Sequence, residues 1–494
     1  MTTPIDADAV RDQDAIIEDL RRRGVKNGGV YALTGPGGTG KTHLVRRISE
    51  ELFARPLFTA STGLAATAFS DFGRSMTIHS ALSLGVGDRP LGYYVKRLGF
   101  LRAMGAIPEG VELAANADVI FIDEMSMLNE HLLRLIDGIL QHVRNRADPF
   151  GGVSLFLVGD FLQLPPVNGN AANKRLMVFE TDFWKQVVSR TYALSRSVRH
   201  DGDAEFRDML LRIRVGAPLP ADIARLNERV RAEIPDSITG GRSAPRLYTH
   251  NANVREYNAR KIRAISPTKR HTFCGTAMVR AGNEIVHKTD VFDSVYRVAV
   301  ADPAAYDDPQ SAPPRAKAKA SEVRNEKRFE AAQSFFKKHE PNAVVELGVG
   351  APVMFNMNAP LEGFFNGTIG WVVGLEDGAV TVQLSDGASV RVVAKEYAHE
   401  SFGYVFVFTQ IPLEPAYAMT VHKAQGRTLP CAIMDLSRTF DFGQGYSAIS
   451  RVKTLHGISL EKPVTADCFR AYPAARDFYA ALEPSSNDAS FGRS

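Results

Sequence analysis

Short apolar runs alternate with helical segments through the first 190 residues, and this alternation limits the folds that the chain can adopt. None of the runs alternates apolar with polar residues, a pattern typical of strands that are buried on both faces of a parallel sheet. The runs cover residues 30–34, 57–61, 118–122 and 153–158, and helical segments such as 42–53 and 129–144 lie between them. The order predicts a doubly wound α/β domain over residues 1–190, with ligands at the carboxyl ends of the strands.

A glycine-rich segment follows the first run and has the sequence GPGGTGKT, which fits the phosphate-loop pattern GxxxxGK[ST]. Glycines let backbone amides approach phosphate oxygens closely, and the N-terminus of the following helix adds partial positive charge. We expect Lys41 to reach the β- and γ-phosphates of a nucleotide and Thr42 to bind Mg²⁺. The alternative is a glycine-rich turn with only a structural role. The predicted nucleotide-binding residues of this loop are Gly35, Gly37, Gly38, Thr39, Gly40, Lys41 and Thr42.

Polar residues follow two later runs at the positions where a ligand is expected. Asp123 and Glu124 come directly after the run 118–122, and Gln163 follows the run 153–158. One carboxylate can hold Mg²⁺ through its water shell, and the next can orient or deprotonate an attacking water. We therefore predict Asp123 as the metal residue and Glu124 as the general base, with two solvated surface charges as the alternative. Gln163 can sense the γ-phosphate and relay its loss.

The chain beyond residue 190 is less regular. Helices are predicted at 194–216, 221–232, 321–339 and 444–453 and from about residue 251, and strands at 246–249 and 431–435. Residues 301–320 are rich in Pro, Ala and Asp, which predicts a surface loop or linker. Residues 483–494 are polar and predict a disordered tail.

Residues 347–410 differ from the rest because they are rich in β-forming residues. The runs 371–375, 379–384 and 389–393 are separated by Asp-Gly pairs at 377–378 and 386–387, which is a strong hairpin signal. We predict a small β-barrel over 347–410. It would be inserted in a second domain that comprises residues 191–346 and 411–482.

A series of segments resembles, in order, the motifs of one family. The segments are TGLAA at 62–66, TIHS at 77–80, DEMSML at 123–128, GDFLQLPP at 159–166, VRH at 198–200, TVHKAQG at 420–426 and YSAISR at 446–451. Together they resemble a superfamily 1 DNA helicase of the PIF type, in the group that also contains RecD-like enzymes. Arg144, followed by PFGG at 149–152, is similar to the signature that separates PIF-type from RecD-type members. The resemblance covers about residues 13–455, with departures at His200, where Gln is usual, and Ala424, where Ser is usual.

The resemblance implies two RecA-like P-loop NTPase domains with ATP between them and a wedge insertion at about 85–113. Arg199 and Arg451 would come from the second domain as arginine fingers that stabilise transition-state charge. Gln13 would read the adenine edge, and Gln425 and Gly426 would lie near the phosphates. The residues expected to hold single-stranded DNA are Thr62, Gly63, Thr77, His79, Thr420 and His422. Phe72, Phe364 and Phe365 could stack on bases or pack in the core.

The activity that the resemblance implies is that of an ATP-dependent DNA helicase in DNA replication, repair or recombination. It would use ATP and Mg²⁺, translocate 5′-to-3′ on single-stranded DNA as a monomer, and unwind tailed duplex DNA. One rival interpretation is a GTPase switch or a kinase that shares only the phosphate loop, although the NKxD guanine motif is absent: its nearest match, HKTD at 287–290, lacks the Asn. A DNA-binding protein with a decayed ATP site, and an enzyme that unwinds RNA or RNA–DNA hybrids, are two further interpretations that the sequence leaves open.

Composition excludes several classes of protein. Lys plus Arg number 59 and Asp plus Glu number 55, so the net charge is only +4, and a nucleic-acid ligand would need basic residues concentrated in one groove. No apolar run reaches the ~18 residues that cross a bilayer, and the N-terminus has no secretion or organelle signal. The three cysteines form neither a disulfide framework nor a zinc site. We expect a soluble protein of a reducing intracellular compartment, with no membrane partner.

Overall fold

The structure, a computed structural model, divides the chain into two compact units. One unit is formed by Met1–Val254 with Met419–Ser494, and the other by Arg255–Ala418. The residues described are 7–25, 28–85, 87–166, 176–194, 199, 202–239, 243–281, 284–289, 330–359, 362–401 and 404–482. Over these ranges no helix combines the length and the hydrophobicity needed to cross a membrane. His200, the predicted linker at 301–320 and the predicted tail at 483–494 lie outside the described residues.

A six-stranded parallel sheet organises the first half of the chain. Its strands are β1 (Gly29–Thr34), β2 (Pro56–Ala60), β3 (Ser75–Thr77), β4 (Val119–Asp123), β5 (Ser154–Gly159) and β6 (Val188–Ala193). They run in the order β3-β2-β4-β5-β1-β6, and all adjacent pairs are parallel. The four predicted strands are β1, β2, β4 and β5. The two edge strands were not predicted because β3 has only three residues and β6 carries exposed polar side chains.

Helices cover both faces of this sheet, so its strands can be apolar throughout. They are α1 (Ala7–Arg22), α2 (Lys41–Leu52), α3 (Gly63–Thr67), α4 (Ile78–Ala81), α5 (Leu91–Ala103), α6 (Glu109–Asn116), α7 (Glu130–Arg144) and α8 (Asp182–Val187). Tyr31 and Leu33 of β1 lie in a core cluster with α2, whereas Val30 and Ala32 lie in another with α7. The alternation of side chains along a strand places these pairs on opposite faces. The predicted doubly wound arrangement is confirmed here.

Arg144, the residue of the PIF-type signature, holds the end of α7 in place. Its guanidinium group donates to the carbonyls of Gly151, Ala115 and Ala117, each at 2.9 Å. Gly151 has φ = 63°, and a Cβ there would lie 2.5 Å from the Leu140 carbonyl oxygen. The signature residues therefore connect α7 to the turn at 149–152 and to the C-terminal end of α6.

A second sheet lies mainly in the same unit, and its strands at 246–248, 432–435 and 458–460 pair in parallel. Its strands are β7 (Arg246–Tyr248), β19 (Ala418–Thr420), β20 (Ala432–Asp435) and β21 (Ile458–Leu460), in the order β19-β7-β20-β21. The accompanying helices are α9 (Ala204–Arg214), α10 (Pro220–Asn227), α11 (Asp236–Thr239), α12 (Asn251–Arg263), α13 (Gln444–Ile449) and α14 (Pro473–Ala480). The helix predicted at 194–216 begins only at Ala204, where Asp203 caps it by accepting from the Phe206 amide.

The unit Arg255–Ala418 is mainly antiparallel. Its strands are β8 (Arg270–Cys274), β9 (Thr276–Ala281), β10 (Glu284–Thr289), β11 (Val344–Gly348), β12 (Pro352–Phe355), β13 (Ile369–Glu376), β14 (Ala379–Leu384), β15 (Ser389–Val393), β16 (Lys395–Ser401), β17 (Tyr404–Gln410) and β18 (Leu413–Pro415). They form sheets in the orders β10-β9-β17-β16, β11-β8 and β15-β14-β13-β12-β18. The two predicted hairpins form, joining β13 to β14 and β14 to β15. Closure into a barrel and the boundaries at 190, 346 and 411 stay predictions.

The position of Phe364 contradicts the alternative that its ring stacks on a DNA base. The side chain is fully buried and lies against Phe355, with the ring centroids 4.1 Å apart. Phe72 packs against Phe58 and Phe69 at the edge of the core around α2. Phe364 is therefore a core residue, whereas Phe72 is only partly buried.

Candidate nucleotide site

The glycine-rich segment forms a loop between β1 and α2, as the phosphate-loop pattern predicts. Gly35 has φ = 145°, and a Cβ there would lie 2.3 Å from the Leu194 carbonyl oxygen, so only glycine fits. Gly40 caps α2 in the left-handed conformation. The Lys41 ammonium group donates to the carbonyls of Gly35 and Pro36, both at 2.8 Å. The lysine side chain therefore folds back onto the loop that precedes it.

The two acidic residues at the end of β4 are held differently from each other. Asp123 accepts a hydrogen bond from the Glu124 amide at 2.8 Å. Glu124 has φ = 57° and ψ = 48°, a left-handed conformation that costs a non-glycine residue about 1–3 kcal/mol. Gly159 at the end of β5 allows this, since a Cβ there would lie 2.8 Å from the Met125 amide. Strain of this kind concentrates at functional sites.

Burial shapes the electrostatics of the site. Burial lowers the pKa of Lys41 to about 8, although Asp160, Asp123 and Glu124 oppose the shift. Burial and the adjacent Glu124 raise the pKa of Asp123 to about 7, and Lys41 opposes that shift. A divalent cation beside Asp123 would favour the ionised carboxylate.

The oxygen donors at the site suit Mg²⁺. The carboxylate of Asp123 and the hydroxyl-bearing Thr42 line one cavity. In the described part of the chain, no group of three or more His, Cys, Asp and Glu side chains could hold a metal ion. Mg²⁺ keeps several waters and takes substrate phosphates as ligands, so one carboxylate and one hydroxyl fit it.

Two arginines from the chain beyond β6 reach the phosphate loop. Arg451 is buried and donates to the Ser447 carbonyl at 2.9 Å and to Oε1 of Gln163 at 3.1 Å. Arg199 donates through its side chain to the Ser450 carbonyl at 3.2 Å, and its amide donates to the Gly38 carbonyl at 3.2 Å. Burial, followed by the positive charge of Arg451, lowers the pKa of Arg199 to about 10, so this guanidinium group remains cationic at neutral pH.

Gln425 orients the predicted base. Its amide group donates to Oε2 of Glu124 at 2.9 Å, and both side chains are buried. A Cβ on Gly426 would lie 3.6 Å from the other carboxylate oxygen, so the backbone also comes close. The segment 420–426 therefore contacts the carboxylate that is predicted to act as the base.

These groups surround a cavity of about 420 Å³, a volume within the range of small-molecule sites. Its lining brings together residues predicted from both halves of the chain. They are Gly37, Gly38, Gly40, Lys41, Thr42, Asp123, Glu124, Gln163, Arg199, Gly426 and Arg451. His43, Ala65, Ala68 and Gly159 complete the described lining.

Gln13 lies beside the phosphate loop. It is buried on α1, and its Oε1 is hydrogen-bonded to Nδ1 of His43 at 2.9 Å. A Cβ on Gly40 would lie 3.0 Å from its amide nitrogen. Thr39 is buried, and its hydroxyl donates to the Pro36 carbonyl at 3.0 Å, which braces the loop internally.

The predicted DNA-contacting residues lie at the carboxyl ends of strands, and none belongs to the described lining of the cavity. Thr62, followed by Gly63, caps α3 after β2, and Thr77 caps α4 after β3. Burial also lowers the pKa of His79, which lies two residues after Thr77. In the second half, Thr420 accepts from the Lys423 amide at 3.2 Å, and the His422 ring lies parallel to Phe440.

A buried network beside the cavity was not predicted from the sequence. Arg214 donates twice to the Asp160 carboxylate, at 2.9 and 3.0 Å, and neither side chain is exposed. The Tyr479 hydroxyl donates to Asp160 at 3.1 Å, accepts from the Phe161 amide at 3.0 Å and is hydrogen-bonded to Thr34. The network joins the last residue of β1, the segment after β5, α9 and α14. One feature of the sequence could have indicated this network. Arg214 lies four residues after Leu210 and therefore falls on the apolar face of α9.

Comparisons with known proteins show similarity to one group of helicases over most of the chain. Residues 9–220 match the PIF1-like helicase family. The human ATP-dependent DNA helicase PIF1 is 28% identical over 473 residues, which cover 93% of this chain and 62% of that protein. The Pif1 helicase of Bdellovibrio bacteriovorus is 29% identical, covering 88% of this chain and 85% of that one. The chain spans less than two thirds of the length of the human protein and of several other curated relatives.

Solved structures share the fold over nearly the whole chain. The Pif1 helicase from Candida albicans superposes with a TM-score of 0.71 at 23% identity, covering 97% of this chain and 99% of that one. A Bacteroides Pif1 that was crystallised with single-stranded DNA gives a TM-score of 0.68 at 23% identity, covering 95% and 96%. The predicted pair of RecA-like domains is thereby confirmed. In its ordered motifs, its relatives and its fold, the chain is similar to PIF1-like helicases.

Proposed function

We propose that this chain is an ATP-dependent DNA helicase that translocates 5′-to-3′ on single-stranded DNA and separates duplex DNA. One observation carries the proposal: Lys41 and Glu124, which adjoin the first parallel sheet, line the same cavity as Arg199 and Arg451, which follow that sheet in the sequence. A site shared between two RecA-like halves can convert nucleotide binding into relative movement. The names of the relatives, which are ATP-dependent DNA helicases, support the same activity.

Each group at the cavity has a role in ATP hydrolysis. The loop amides and Lys41 bind the phosphates, and Glu124 accepts a proton from the attacking water. Gln425 holds one carboxylate oxygen of Glu124 and so fixes the direction of the other. Arg199 and Arg451 stabilise the charge that develops on the phosphoryl group. Asp123 and Thr42 would hold Mg²⁺, which supplies positive charge to the β- and γ-phosphates.

Gln163 links hydrolysis to movement. Its side-chain oxygen accepts a hydrogen bond from Arg451. A shift of Gln163 on loss of the γ-phosphate would therefore be passed directly to Arg451 in the second half of the chain. Thr62, Gly63, Thr77 and His79 would hold the strand on the first half. Thr420 and His422 would hold it on the second, and alternate release gives directional movement.

A strand-displacement assay tests the proposal. Duplexes with a 5′ tail or a 3′ tail are incubated with the chain, with and without ATP and Mg²⁺. We expect separation of the 5′-tailed substrate only, and only with ATP. Equal separation of both substrates would refute the polarity, and no ATP-dependent separation of either would refute the helicase. An RNA-tailed duplex in parallel reports the nucleic acid that the chain prefers, and the salt dependence measures its phosphate contacts.

A further inference from the structure

The Tyr446 hydroxyl lies at the phosphate loop and is separate from the groups that carry the proposed hydrolysis. The Gly37 amide donates to this hydroxyl at 3.1 Å. A Cβ on Gly37 would lie 3.8 Å from the hydroxyl, 3.7 Å from Nη1 of Arg199 and 3.8 Å from Nη2 of Arg451. One phenol and two guanidinium groups, all from residues that follow β6, thus meet at one point of the loop.

Tight packing fixes the position of Tyr446. It belongs to α13, which begins after Gly443 in the left-handed conformation, and its side chain is buried. A Cβ on Gly443 would lie 2.5 Å from the Gln163 carbonyl oxygen, and one on Gly445 would lie 2.1 Å from the Cys468 carbonyl oxygen. Because α13 is held on two sides, the hydroxyl cannot leave the loop without movement of the helix.

The chemistry of the hydroxyl suits a phosphate oxygen. A phenol can accept one hydrogen bond and donate another, so accepting from Gly37 leaves its own proton available for an acceptor. Burial, with Asp160 as the next contribution, raises the pKa of Tyr446 to about 12, so the group is a neutral donor at physiological pH. Phosphate-loop amides themselves bind phosphate oxygens, which places such an acceptor beside Gly37.

From this geometry, and on the basis of the proposed function, we infer that the Tyr446 hydroxyl binds the terminal phosphate of ATP and sets the preference for ATP over ADP. The arginines supply charge at the same point, and charge alone also attracts the phosphates of ADP. A neutral donor fixed to α13 adds a directional hydrogen bond that only the γ-phosphate completes. Tyr446 is a specificity-determining residue that brings the second half of the chain to bound ATP.

Equilibrium binding of fluorescent ADP and of a fluorescent, non-hydrolysable ATP analogue to Tyr446→Phe tests the inference. Phenylalanine keeps the ring and removes only the hydroxyl. We expect about tenfold weaker binding of the ATP analogue, the typical effect of losing one hydrogen bond to a charged group. The affinity for ADP should stay within about twofold of the wild-type value, because ADP has no γ-phosphate. Tyr472→Phe is the matched control, since its hydroxyl donates to Glu180 at 2.9 Å.

Equal changes in the two affinities, in either direction, or no change in either, would overturn the inference. The wild-type chain provides a second measurement that does not depend on how the variant folds. If it bound the ATP analogue no more tightly than ADP, there would be no preference for the hydroxyl to produce. Failure of the proposed function would give a different result. The wild-type chain would still bind the ATP analogue more tightly than ADP, but DNA-stimulated hydrolysis and strand separation would be absent.

Discussion

Arg214 and Asp160 form a buried, two-point ion pair that connects α9 to the segment after β5. The pair lies close enough to Lys41 for both charges to act on the lysine pKa. Tyr479 covers it, with the guanidinium carbon 4.3 Å from the centre of the ring. The buried network beside the cavity is therefore built by segments that lie far apart in the sequence.

Breaking this pair should destabilise the chain strongly. Arg214→Met keeps most of the side-chain volume but leaves the Asp160 carboxylate buried without its partner, which costs about 3–5 kcal/mol. Urea unfolding followed by circular dichroism measures the loss. The control, Arg391→Met, removes an exposed ion pair with Glu376 at 3.0 Å and should cost less than about 1 kcal/mol. Similar losses in the two variants would contradict the importance of burial.

Lys41 predicts the pH dependence of nucleotide capture. Its pKa is lowered to about 8, so the free chain holds the lysine charged below pH 8 and loses the charge above it. Because kcat/KM reports groups of the free enzyme, kcat/KM for ATP should fall about tenfold per pH unit above pH 8. The profile is measured from about pH 6.5 to about pH 9.5 at saturating single-stranded DNA. A flat kcat/KM over this whole interval would show that this lysine does not control capture.

Glu124→Gln should separate binding from chemistry. Glutamine keeps the shape of the side chain and one acceptor oxygen but cannot accept the proton of the attacking water, so DNA-stimulated ATP hydrolysis should fall about 10²–10⁴-fold. The affinity for ATP should change little, and equilibrium binding measures it. Glu130→Gln, an exposed change on the neighbouring α7, should leave both quantities unaltered. Wild-type-like turnover in Glu124→Gln would disprove the assignment of the base.

Arg144→Ala should lower stability without touching the cavity. The change removes the donor to three backbone carbonyls, with a cost of about 2–4 kcal/mol in the free energy of unfolding. Arg146→Ala removes only an exposed pair with Asp148 and serves as the control. Thermal unfolding compares the two variants. An unchanged melting temperature in Arg144→Ala would mean that the signature arginine does not stabilise the chain through these hydrogen bonds.

The parts of the site that are local in sequence could be predicted from the residues. The loop at 35–42 and the pair Asp123–Glu124 each lie directly after an apolar strand, and parallel strands bring their carboxyl ends to one edge. The arginine fingers were reachable only through the resemblance, because Arg199 and Arg451 lie far apart in the sequence and either would otherwise be read as a surface residue. Tyr479 contacts Thr34 across 445 residues, and no local pattern indicates such a pair. The left-handed backbone of Glu124 likewise depends on its neighbour Gly159 rather than on its own sequence context.

Helix α14 has a consequence for attempts to divide the chain. Ala475 and Tyr479 lie in the same core cluster as Val30 of β1 and Ile136 of α7, although they come from the last described helix. A fragment that ends near residue 190 would therefore expose an apolar groove where α14 packs, and it would lack the hydroxyl that meets Thr34. Cutting the polypeptide once between the parallel sheets cannot yield two self-sufficient pieces; the nucleotide-binding half needs its distant C-terminal helix, supplied in cis or added back as a peptide.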